Sequence, residues 1–204
     1  EGLKRTVMES RLQVELDLEA LERAAVKYHF AAAGACPDGG KIQKIYEILH
    51  RNADCRAVWT LDEEKREASV VVTLGARVDA LQEKYGREGL LTECYLTDCL
   101  CRELLKKGYK ALEDMLRERF GLYAERYLFP GQNLALEKLE QIFSSLGESV
   151  PVRLLPGGVL LPRQSVAYLL RLSADERTEC ADICAQCGEC EAGTDTPGCR
   201  RTSV

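Results

Sequence analysis

Residues 12–32 place Leu18, Leu21, Ala25 and Tyr28 about one helical turn apart, which predicts a first helix. The stretch Cys36-Pro-Asp-Gly-Gly40 has the composition of a turn. Beyond it, Ile42, Ile45, Ile48 and Leu49 form the inner stripe of a second helix. Residues 56–60 read as a strand and residues 62–67, rich in charge, as an exposed turn. Ser69-Val-Val-Val-Thr-Leu74 is a continuous run dominated by β-branched residues, which predicts a strand covered on both faces and closed by Gly75. A short helix over residues 76–85 follows. Residues 89–120 then carry Leu90, Leu91, Cys94, Cys101, Leu104, Leu105, Leu112, Met115 and Leu116 near a 3.6 period, with a break expected at Gly108.

Tyr127-Leu-Phe-Pro-Gly-Gln132 predicts a loop, because proline and glycine end regular structure cheaply. Asn133 is placed to cap a helix whose apolar face is Leu134, Leu139, Ile142, Phe143 and Leu146. Residues 152–155 and 159–161 flank Pro156-Gly-Gly158 as a hairpin or sharp bend, and residues 165–173 alternate as a further strand. Large apolar residues nearly vanish after residue 173. The predicted organisation is a helical N-terminal segment over 1–64, a core over 65–173 and a cysteine-rich tail over 174–204.

Composition narrows the function. A chain of 204 residues with 46% hydrophobic and 30% charged residues is long enough to bury a sizeable core. A net charge of −5 speaks against a general nucleic-acid binder, and the apolar runs are too short to span a bilayer. The charged opening residues show no secretory pattern. The ten cysteines are therefore expected to be reduced thiols in the cytoplasm.

Five of those cysteines crowd the tail, as Cys180-x3-Cys184-x2-Cys187-x2-Cys190-x8-Cys199. Thiolates three residues apart converge on one ion, and the interleaved glycines permit the turns this needs. The spacing predicts a metal site, an iron–sulfur cluster ahead of zinc. Cys94 and Cys101 are read as core packing on the long helix, with Cys99 off its stripe, and Cys36 and Cys55 lie near turns. His29 and His50 each end a helix, where the macrodipole favours them. No nucleophile elbow, P-loop or Gly-x-Gly-x-x-Gly is present, so no catalytic residue is assigned and a hydrolase is poorly supported. Arg126, entering the Pro130-Gly131 turn, and the open backbone of Val152-Arg-Leu-Leu-Pro-Gly-Gly158 form a candidate loop pair for a small anionic or zwitterionic ligand.

The order of these motifs carries a resemblance. Thr73-Leu-Gly-Ala-Arg-Val-Asp79, a long helix, Arg126…Pro130-Gly131, an amphipathic helix, Val152-Arg-Leu-Leu and Leu161-Pro-Arg-Gln-Ser-Val166 follow one another as in the activation (reactivation) domain of cobalamin-dependent methionine synthase. The chain looks most like stand-alone bacterial forms that end in a cysteine-rich tail. The resemblance spans residues 65–200 and implies an α+β fold, a curved antiparallel sheet flanked by helices. It implies S-adenosylmethionine held by Arg126, Tyr127, Pro130, Gly131, Gln132, Pro156 and Gly157. It also implies a corrinoid protein or methionine synthase as partner, with cobalamin held by that partner and a flavodoxin or ferredoxin as electron donor. The function so implied is reductive remethylation of the corrinoid, as part of a methyltransferase system. Two departures stand out. Gln132 replaces the family's tyrosine, and Leu155-Pro-Gly157 stands where the family carries Thr-Glu-Ser. They favour a second reading, a corrinoid-protein binding module without the cofactor; a third is a small redox protein whose tail is the active part.

Overall fold

The computed structural model describes residues 6–30, 40–148, 150–178 and 180. Its centre is a five-stranded, wholly antiparallel sheet in the order β1-β2-β3-β7-β4, built from β1 (Val7–Arg11), β2 (Arg56–Asp62), β3 (Glu67–Thr73), β7 (Ser165–Ser173) and β4 (Tyr123–Leu128). One face carries α1 (Leu18–Lys27), α2 (Lys41–Asn52), α3 (Ala76–Arg87) and the 30-residue α4 (Leu91–Phe120). The other carries α5 (Lys138–Leu146) and the hairpin of β5 (Arg153–Leu155) and β6 (Val159–Leu161). The fold is therefore α+β, an antiparallel sheet flanked by helices.

Alternation along the strands assigns side chains to the two faces. Ala57, Trp59, Val70, Val72, Tyr168 and Leu170 pack into the helix layer. Val58, Val71 and Ala167 pack against Leu139, Ile142 and Leu146 of α5. The β-branched run at Val70–Val72 is thus buried on both faces, as the central strand of the sheet.

Several elements differ from the sequence expectation, each for a local reason. The first helix starts at Leu18, because Leu12, Val14 and Leu16 are buried in alternation and run extended beside the sheet, with the Leu12 amide donating to Cys55 O at 2.9 Å. Asp17 caps α1 by accepting from the Ala20 amide at 2.7 Å. The described part of residues 1–64 contains two helices and also two strands, and the boundary expected at 64–65 falls in the turn between β2 and β3, which pair along seven residues. Residues 123–128 form strand β4, so the expected loop begins only at Phe129. The long helix does not break at Gly108. That glycine lies where α4 crosses the sheet, and a Cβ there would stand 3.1 Å from Cys55 Sγ and 3.2 Å from Val72 Cγ1. Asn133 does not cap α5, which begins at Lys138; its amide instead accepts from Phe129 N at 2.7 Å and donates to Tyr127 O at 2.8 Å. Cys99, expected off the apolar stripe, is buried, and Cys94 is only half-buried.

Candidate functional site

Where β4 ends and β7 begins, the Pro130 loop, the start of α5 and the β5–β6 hairpin enclose a groove of about 310 Å³. Phe129, Pro130 and Gln132 line it from one side, and Gly158, Val159 and Leu160 from the other. Leu136, just before α5, and Leu139 of α5 supply a further wall, and Arg163, Ser165, Val166 and Ala167 the floor. The volume lies at the lower end of the range for small-molecule sites. Leu136 joins the two loops: it stands 3.6 Å from a Cβ built at Gly131 and 3.4 Å from one built at Gly158. Both glycines have positive φ, at 84° and 79°, a region that side chains rarely adopt.

The structure brings the two predicted loops to one place but redistributes the predicted residues. Pro130 and Gln132 line the groove, and Gly131 backs it through Leu136. Pro156 and Gly157 form the hairpin turn and are not among its walls; Gly158 is. Arg126 is exposed on the edge strand β4, in register with Arg171, and does not line the groove. Tyr127 is fully buried on the helix side of the sheet, where its ring lies 5.2 Å from Tyr168 and 5.9 Å from Phe129. Burial pushes its hydroxyl well above the ordinary tyrosine range, with the Tyr168 hydroxyl adding to the effect. A side chain so enclosed holds the core and reaches no ligand in the groove.

The expectation of open backbone donors is also corrected. Gly131 N donates to Leu134 O at 2.8 Å, Gln132 N to Phe129 O at 3.1 Å and Gly158 N to Leu155 O at 3.2 Å. These three amides are taken within the turns, which leaves a side chain as the main candidate for anion recognition. Arg163 is the cation on the groove floor. Its guanidinium is ion-paired with Asp79 at 3.8 Å and Glu83 at 3.6 Å, separations beyond hydrogen-bond distance. Its backbone amide donates to Asp79 Oδ2 at 2.8 Å, which fixes the base of the side chain. Arg163 and Ser165 carry no site signal of their own in the sequence, although they sit within the Leu161-Pro-Arg-Gln-Ser-Val166 motif.

Arg163 also borders a second groove, of about 500 Å³, on the helix side, together with Gln82, Glu83, Cys94, Asp98 and Gln164. Of the predicted metal ligands, Cys180 is half-buried and packs against the main core. Cys184, Cys187, Cys190 and Cys199 lie outside the described residues, as does Cys36. Among the described residues no group of three or more His, Cys, Asp or Glu side chains could hold a metal ion, and no helix is long and apolar enough to cross a membrane.

No family model matches the chain, nor does any curated protein. Among solved structures, the MetH reactivation domain bound to AdoHcy is similar in fold, with a TM-score of 0.47 at 12% sequence identity, over 83% of this chain and 79% of that one. Likeness of that degree says nothing about ligand or activity, which rest on this chain's own residues.

Proposed function

We propose that this chain is an accessory domain for reductive remethylation of a corrinoid protein, and that the groove between the Pro130 loop and the β5–β6 hairpin takes S-adenosylmethionine. One observation carries the reading. The Pro130 loop and the Leu161–Val166 segment, on which the family resemblance rests, lie about 30 residues apart, yet Pro130 and Gln132, Gly158–Leu160, and Arg163 with Ser165–Ala167 wall a single groove.

The residues present suit one end and the body of such a ligand. Arg163, whose guanidinium is ion-paired with Asp79 and Glu83 but within hydrogen-bond distance of neither, offers that group to a carboxylate. Gln132 and Ser165, whose hydroxyl already bonds Thr73 and Pro162, add polar atoms, and Phe129, Leu136 and Leu160 offer apolar cover. When bound, S-adenosylmethionine supplies a methyl group to a nucleophile. The work of the chain is to orient that ligand and hold it on the sheet end facing the corrinoid partner. The cysteine tail enters this reading as an electron-transfer or docking element. Among the described lining residues none is a carboxylate that would receive the ligand's ammonium group. That observation favours, as a second reading, a corrinoid-protein binding module without the cofactor.

A calorimetric titration of S-adenosylmethionine separates the two. The first reading expects micromolar binding, weakened about tenfold or more by Arg163→Ala through loss of a charge-assisted contact. It expects Arg126→Ala to bind within about twofold of the parent, because Arg126 lies outside the groove. Heat equal to buffer dilution, with no shift in melting temperature at millimolar ligand, supports the binding module.

A further inference from the structure

The helix-side groove carries chemistry that the reading above does not use. Its floor holds two glutamines, Gln82 of α3 and Gln164 before β7, each only 9% exposed. Gln164 Nε2 donates to Gln82 Oε1 at 3.2 Å and to Asp98 Oδ1 at 2.9 Å. Asp98 is itself held by Arg102 at 2.9 Å, and Gln164 O accepts from the Leu74 amide at 2.9 Å, so both the side chain and the backbone of Gln164 are fixed.

Asp98 also determines which way the amides point. A carboxylate accepts only, so the nitrogen of Gln164 must face it. The oxygen of Gln82 must then face the same nitrogen. Both N–H groups of Gln164 are thereby engaged. What remains is the Gln82 NH₂ as donor and the Gln164 Oε1 as acceptor, and among the described residues neither has a partner. Neither atom is sealed from solvent, so both are open to a ligand entering the groove that these residues line.

We propose that this groove binds a small neutral molecule through an amide edge, one acceptor beside one donor. The ligand's acceptor takes an N–H of Gln82 while its own N–H donates to Gln164 Oε1. A carboxamide and a nucleobase edge both present this pattern. Arg163 and Glu83 stand at the rim with opposite charges, so net charge on the ligand gains little there. The proposal is independent of the cofactor reading, since neither glutamine lines the first groove.

The test is an NMR titration that follows the side-chain NH₂ signals of Gln82 and Gln164, with nicotinamide and with adenine as separate probes. The proposal expects saturable shifts of both signals with at least one probe at millimolar concentration. Response to nicotinamide alone identifies a carboxamide site, and response to adenine a nucleobase site. Gln82→Met should weaken the response at Gln164 about tenfold, the loss expected for one hydrogen bond. Gln82→Glu, which keeps the acceptor for Gln164 and removes the donors, provides the same test if the methionine variant folds poorly. Failure of both probes to move either signal overturns the proposal, as does an undiminished response in a folded Gln82 variant. S-adenosylmethionine binding measured on the same variants should be unchanged.

Discussion

Glu103 gathers three donors on one carboxylate oxygen: Tyr28 Oη at 2.7 Å, Lys27 Nζ at 3.2 Å and Lys106 Nζ at 3.5 Å. Burial alone would raise its pKa, but the Tyr28 hydrogen bond and the charges of Lys106 and Lys27 outweigh it and hold the carboxyl below its ordinary range. A carboxyl with a lower pKa folded than unfolded stabilises the fold fully above the unfolded value. That contribution is lost as the pH falls through the folded value. Glu103→Gln should therefore lower stability at neutral pH by an amount that shrinks toward zero below about pH 4. Denaturation midpoints measured across that range check this, and a difference constant with pH would show that charge plays no part. Single residues were also where the sequence misled most about the site. Arg126 was conspicuous as a cation before a Pro-Gly turn, yet pairing along β4 leaves it exposed on the edge strand. Arg163 lines the groove instead, and its place depends on a contact with Asp79, 84 positions away.

At the scale of elements, the patterns that depend on near neighbours were legible: α2, β3, the β5–β6 hairpin and β7 fall within a few residues of expectation. The misreadings arose where long-range packing overrode a local signal. Residues 12–16 alternate with period two, but the charged residues around them resemble a helix face. Gly108 looks like a helix breaker until α4 is laid against Cys55 and Val72. This makes a paired prediction about one substitution. Gly108→Ala should destabilise by roughly 1 kcal/mol, since overpacking against the sheet exceeds the gain in helix propensity. Gly86→Ala, exposed in α3 with nothing within 4 Å of the added Cβ, should stabilise by about 0.5–1 kcal/mol. Chemical denaturation of both variants decides it. Stabilisation at both positions would mean that Val72 and Cys55 yield to the added methyl.

At the scale of the whole molecule, the sheet order creates both grooves. Placing β7 between β3 and β4 sets residues 163–167 beside the Pro130 loop on one face and beside Gln82 and Asp98 on the other. The sequence motifs named the loops on the first groove, whereas the second joins polar residues from α3, α4 and the β7 approach that share no motif. Convergence of this kind depends on topology, which local pattern does not encode. The central claim is that S-adenosylmethionine occupies the groove between the Pro130 loop and the hairpin. Methyl-labelled protein titrated with S-adenosylmethionine tests it most directly, through nuclear Overhauser contacts between ligand protons and individual methyl groups. The account predicts contacts to the methyls of Leu136 and Leu160, which line that groove. Contacts confined to methyls elsewhere in the fold, or none at saturating ligand, would contradict it.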